Sequence, residues 1–204
     1  MAEPVQQKFL TVAAGLVLAS VCFLALAAGH HYTRDRIAAN QRAAQLQLVS
    51  EVMPLRHDND LLSDHTEISD GNPFSDGLPV YVYRAREHGK PAGLVFMPVR
   101  ARGYNGLIEL VVGIAYDGEL TGVRVYRQHE TVGLGDRIDQ ANSNWIYGFD
   151  GHSLQNTPAT AWGVKGDGGE FDSLSGATIS PRGVIKAVKN VLDYYAINKD
   201  QLYK

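Results

Sequence analysis

A single cysteine, Cys22, sits inside the apolar N-terminal run of this 204-residue chain. The chain's own thiolates therefore support no intrachain disulfide, no CxxCH haem site and no iron–sulfur cluster. Metal-ligand spacing is lacking as well. The seven histidines, His30, His31, His57, His65, His88, His129 and His152, are scattered, and no HExxH or comparable pattern occurs. Charge is sparse. A formal net charge of -3, with 20% charged residues, gives neither the basic face of a nucleic-acid binder nor a long acidic tail. No internal repeat is present. A redox role for this chain requires an organic cofactor.

Two features are plentiful: glycine, at 21 residues, and one long apolar run. Phe9 to Gly29 carries no charged residue. At 1.5 Å rise per residue it spans roughly 30 Å as a helix, the thickness of a hydrocarbon core. Lys8 and the small residues Ala25-Leu26-Ala27 leave a cleaved signal peptide open as a second reading, but the uncharged run is longer than a usual signal core. Arg34, Arg36 and Arg42 follow the run, whereas Lys8 and the amino terminus precede it. Counted simply, that asymmetry favours a cytoplasmic C-terminal domain, although whole domains are exported against such a bias.

The expected class is α+β: an N-terminal transmembrane helix, then a mostly antiparallel sheet domain with a C-terminal helix. The expected division is a short N-terminus at 1–8, the span at 9–29, a membrane-proximal helix and loop at 30–78, and a globular domain at 79–204. Arg34 to Met53 reads as helix stopped by Pro54. Residues 56–78, rich in Asp, Ser, Asn, Gly and Pro, read as loop. Strand-like runs follow at Val80–Ala85, Gly93–Val99, Leu107–Ala115 and Leu120–Tyr126, with Asp117-Gly118 joining the last two as a hairpin. Ser180 is a natural N-cap, and Pro181 suits the first position of a helix. Val184, Ile185, Val188, Val191, Leu192 and Tyr195 then share one face of that helix.

Immediately before this helix stands Asp172-Ser173-Leu174-Ser175-Gly176-Ala177-Thr178-Ile179-Ser180. A helix N-terminus offers unpaired N–H groups and a positive dipole end, which suit a phosphate. Gly176 and Ala177 leave room beside the Thr178 hydroxyl. The same residues also describe a plain capping loop, and at this point both readings stand.

The pattern Asp-x-x-Ser-Gly-Ala-Thr-x-Ser resembles the flavinylation motif of an FMN-binding domain family. That family is shared by the G subunit of the Rnf (Rsx) ion-translocating electron-transport complex and the C subunit of the sodium-pumping NADH:quinone reductase. Gly103-Tyr104-Asn105-Gly106 is similar to its Gly-Tyr-x-Gly turn. His129-Glu130-Thr131-Val132-Gly133-Leu134-Gly135 is similar to its Glu-Thr-Pro-Gly-Leu-Gly loop, with Val132 in place of Pro. Trp145 and Phe149 follow in order.

The resemblance implies FMN bound covalently through its phosphate to Thr178, installed by a dedicated flavin transferase that recognises Asp172, Ser175, Gly176 and Ala177. It further implies an electron relay among other membrane, iron–sulfur and flavin subunits, with the soluble domain on the periplasmic side of a bacterial inner membrane. Glu130, Thr131, Gly133 and Leu134 are then candidate flavin neighbours, with no catalytic acid or base and no metal. Trp145, Trp162 and Tyr104 are candidate ring contacts or packing residues, and Lys165 is a candidate phosphate counter-charge or a solvated lysine. Two alternatives remain beside the relay: a quinone-reductase or stand-alone membrane flavoprotein reductase component, and a non-redox anchored binding module with Thr178 unmodified.

Overall fold

A computed structural model describes residues 3–69 and 72–204. The chain divides into two compact units, residues 1–45 and 46–204. One helix, α1 (Glu3–Val52), runs through the first unit into the second. The apolar run and the Arg34–Met53 segment are thus one element. Nothing between them breaks a helix, since the four residues His30 to Thr33 that separate the two stretches include neither proline nor glycine. Within the first unit the large apolar side chains, among them Phe9, Leu16, Leu24 and Leu26, are exposed. The α+β class holds: one apolar N-terminal helix, one antiparallel sheet and one C-terminal helix.

In the second unit the sheet is a meander, β1 (His65–Ile68), β2 (Val80–Glu87), β3 (Lys90–Arg102), β4 (Leu107–Ala115) and β5 (Leu120–Arg127), each strand antiparallel to the next. β4 has the predicted bounds, and β3 extends further at both ends. The β4–β5 hairpin turns at Asp117-Gly118, where Gly118 takes φ 99. β1 lies within the stretch read as loop. Its residues alternate exposed and half-buried at the sheet edge, so no apolar run announces it.

The inner strands are apolar on both faces because both are covered. Along β3, Leu94 and Phe96 join one core with α2 (Ile179–Leu202), while Val95 and Met97 join a second core with Val49, Val52 and Met53. The same alternation separates Val82 from Tyr83 and Leu110 from Val111. The α2 face read from the sequence, Val184, Ile185, Val188, Val191, Leu192 and Tyr195, is buried throughout. Each such aliphatic contributes about 1.5–3 kcal/mol on burial.

The C-terminal end of α2 is held to β2. Arg84 Nε donates to the Leu202 carbonyl at 2.6 Å, and Arg86 Nη2 donates to that of Tyr203 at 2.8 Å. Both guanidiniums pair with Asp64, at 3.2 and 2.9 Å. Carbonyls that a helix end leaves open are thereby satisfied, and the opposite, N-terminal end of α2 is set in place against the sheet.

Candidate functional site

α2 begins at Ile179, two residues earlier than the expected cap allows, with Thr178 in the N-cap position. Ser180 does not cap. Its hydroxyl is buried and donates to the Glu130 carboxylate instead. Pro181 then falls third in the helix, still within the turn whose N–H groups lack intrahelical partners. Thr178 itself is exposed, and its side chain makes no capping hydrogen bond. No acidic residue occupies the first turn. The helix end thus presents a free hydroxyl and a positive dipole end together.

Two turns converge there. Leu174–Ala177 closes through the Ala177 N–H to the Leu174 carbonyl at 3.1 Å, with Gly176 at φ 79. Thr131–Leu134 closes through the Leu134 N–H to the Thr131 carbonyl at 3.1 Å, with Gly133 at φ 77. In each turn a glycine takes the third position, where a left-handed residue is needed. Val132 occupies the second position, which favours proline for its fixed φ, and the turn forms with valine there. The turns touch: a Cβ on Gly176 would lie 2.8 Å from Leu134 Cδ2.

Glu130 ties these pieces into one site. The residue is 7% exposed, and its carboxylate accepts from the Tyr104 N–H at 3.2 Å, the Asn105 N–H at 3.0 Å and the Ser180 hydroxyl. Gly103 and Gly135 flank it, and a Cβ on Gly135 would stand 2.7 Å from Glu130 Oε2. Asn105 Nδ2 donates to Thr131 Oγ1 at 3.1 Å, a second link between the same loops. Three segments separated in sequence therefore meet around one carboxylate that accepts three hydrogen bonds from the protein.

A cavity of about 320 Å³ opens at this junction, lined by Tyr104, Glu130, Thr131, Leu134, Gly135 and the run Gly176–Ser180. Of the residues singled out from the sequence, Glu130, Thr131, Leu134, Gly176, Ala177 and Thr178 line it. Ser175, Gly133 and Asp172 do not. Ser175 lies on the exposed outer side of its turn, and Gly133 faces open space. Asp172 belongs to a neighbouring cavity of about 500 Å³, which also includes Trp145, His152, Lys165 and Phe171 in its wall.

In that second cavity Lys165 Nζ pairs with Asp172 Oδ1 at 2.5 Å, and the Trp145 indole N–H donates to the Asp172 carbonyl at 2.7 Å. Trp145 packs edge-on against Phe149, and Trp162 packs on Phe171. Neither tryptophan reaches the Thr178 cavity. Tyr104, 71% exposed, does. Sequence reasoning missed Ile179 as a lining residue and missed the inward turn of Ser180. Only the second Ser of the motif hinted at the last of these.

A family model described as an FMN-binding domain matches residues 103–193, which contain every lining residue of the Thr178 cavity. The G subunit of the ion-translocating oxidoreductase complex of Shewanella baltica is 37% identical over 188 residues, 92% of this chain and 89% of that protein. The chain belongs to this family of G subunits. The Pseudomonas aeruginosa member is 40% identical over 172 residues, 84% of this chain and 80% of its own length. That of Vibrio cholerae is 37% identical over 193 residues, 93% of this chain and 92% of that protein. Among solved structures, the C subunit of a Na(+)-translocating NADH-quinone reductase from Parabacteroides distasonis matches with a TM-score of 0.53 at 17% identity. The match spans 80% of this G-type chain and 94% of the other, a likeness of fold.

Proposed function

We propose that this chain is the membrane-anchored, FMN-carrying electron-relay component of an ion-translocating oxidoreductase complex, with FMN esterified through its phosphate to Thr178. One observation carries the reading: an exposed N-cap hydroxyl, unused by the cap, on the wall of a cavity whose other side is the Glu130–Gly135 loop. The residues fit the cofactor. A phosphate suits the α2 N-terminus, and the absence of side chains beyond Cα or Cβ at Gly176 and Ala177 leaves space beside the hydroxyl. At about 320 Å³ the cavity lies at the small end of ligand sites, roughly 300–1,000 Å³. It suits part of a flavin left open to a redox partner.

Bound FMN supplies one- and two-electron redox chemistry. The residues of this chain hold and surround it. Thr178 would hold it through a phosphoester at Oγ. Leu134, Ile179 and Tyr104 give the cavity apolar and aromatic surface, while Thr131 and the backbone of the Thr131–Gly135 loop supply polar contacts. Asp172 and Ser175, exposed and outside the cavity, are accessible to a flavin transferase during attachment. Gly133 frees the loop to turn.

The proposed setting is a bacterial inner membrane crossed once by residues 9–29, with 1–8 cytoplasmic, 30–78 membrane-proximal and the flavin domain, 79–204, in the periplasm. The exposed apolar side chains of residues 9–29 support a lipid-facing segment. Partners are the other membrane, iron–sulfur and flavin subunits of the complex, together with the transferase. Acid-denatured protein co-expressed with its transferase should show a fluorescent flavin band on a gel, lost in Thr178→Val. A wild-type band without fluorescence rejects the covalent reading. A reporter fused after Lys204 that is active only in the cytoplasm rejects the periplasmic one.

A further inference from the structure

Three successive residues of the turn at Lys165–Asp167 grip the two ends of the attachment segment. Lys165 pairs with Asp172, the Gly166 N–H donates to Ser173 Oγ at 3.2 Å, and Asp167 binds Arg182. The last contact is a two-pronged one, Arg182 Nε to Asp167 Oδ2 at 2.6 Å and Nη2 to Oδ1 at 2.8 Å. This is the geometry in which a guanidinium also binds phosphate. Arg182 stands four residues after Thr178, and Thr178 already has right-handed helical backbone, φ -104 and ψ -26. Residues four apart on a helix are neighbours on one face. Arg182 is also the only cation in the first turn and a half of α2, and its side chain is 48% exposed, so solvent reaches its contact with Asp167.

We infer that Arg182 is the counter-cation of a phosphoester at Thr178, and that Asp167 holds its place until the phosphate is attached. This inference rests on the proposed flavinylation. Before attachment the Asp167 carboxylate keeps the guanidinium beside the motif and balances its charge. After attachment the phosphate, one helical turn away, presents an equivalent pair of oxygens and draws Arg182 from Asp167. The 165–168 loop then keeps its Asp172 and Ser173 contacts and the Lys165 N–H bond to the Phe171 carbonyl, but loses its tie to α2. Lys165 serves a different task, since its ammonium is engaged by Asp172 in the adjoining cavity.

The test uses the full chain in detergent, flavinylated and, as Thr178→Val, unmodified. Phosphorus NMR of the flavinylated protein should show a shifted phosphoester resonance in Arg182→Gln and the wild-type resonance in Asp167→Asn. An unchanged resonance in Arg182→Gln overturns the inference. If Arg182→Gln does not fold, amide hydrogen exchange on wild type decides: residues 165–168 should exchange several-fold faster in the flavinylated chain than in Thr178→Val. Equal exchange overturns it. A wild-type protein with no protein-bound phosphorus signal instead removes the flavinylation on which the inference stands, and the two failures are told apart by that signal.

Discussion

Glu130 and Ser180, fifty residues apart in sequence, share a buried hydrogen bond that locks the loop of one to the first turn of α2. The same carboxylate receives two backbone N–H groups from Tyr104 and Asn105. A glutamine in its place offers one oxygen and turns an N–H₂ toward donors. Glu130→Gln should therefore destabilise the domain by about 1–3 kcal/mol, the usual result of leaving buried donors unpaired. Urea unfolding measures this. The double mutant with Ser180→Ala should be less destabilised than the sum of the two singles, because both remove one network. Additive effects contradict the shared network.

Gly176 occupies a left-handed position, and an added Cβ would press on Leu134. Gly176→Ala should destabilise by roughly 1–3 kcal/mol from backbone strain alone. It should also lower the fraction of protein carrying flavin, because the turn that sets Thr178 beside the cavity shifts. Leu134→Ala added to Gly176→Ala should restore part of the stability by making room. Flavin absorbance per protein and denaturant midpoints report both effects.

The close of α1 against the sheet predicts a contrast between two glycines. A Cβ on Gly113 collides with the Val52 carbonyl, whereas one on Gly122 meets Val52 Cα at 3.1 Å. Backbone does not yield as a side-chain tip does, so Gly113→Ala should cost about 1–3 kcal/mol, the range of overpacking. Gly122→Ala should cost clearly less. The order of their melting temperatures checks this, and a reversed order rejects the packing described for Val52.

Alkaline pH should loosen the far end of α2. Tyr195 is buried, and burial pushes its phenol from 10.0 to about 12, while its hydroxyl donates to the Tyr116 carbonyl at 2.9 Å. A folded pKa above the unfolded one means that the group's contribution is full below pH 10 and is lost as pH rises through about 12. Burial pushes Tyr203 up as well. Tyr195→Phe should weaken the domain by about 1 kcal/mol at neutral pH through the lost hydrogen bond. It should also flatten the fall in stability between those two pH values. Thermal unfolding across that window distinguishes the variants.

What the sequence determined by itself was local or ordered along the chain. The apolar N-terminal run, the four strands β2 to β5 and the buried face of α2 follow from hydrophobic periodicity, which neighbouring residues set. The motif before α2 marked Thr178 because hydroxyl, small residues and helix start are consecutive. Tertiary structure decided what depends on distant partners. Glu130 became the tie among three loops because Tyr104, Asn105 and Ser180 all reach it. Ser180 gave up the cap to that buried carboxylate, which moved the helix start to Ile179 and left the Thr178 hydroxyl unbonded. Asp172, part of the same motif, went to a second cavity because Lys165 and Trp145 hold it there. β1 arose by pairing with the edge of β2, and its own four residues carry no signal of it. A chain can advertise a hydroxyl at a helix start, but which groups leave it unbonded is settled only where remote segments pack and compete for the same donors.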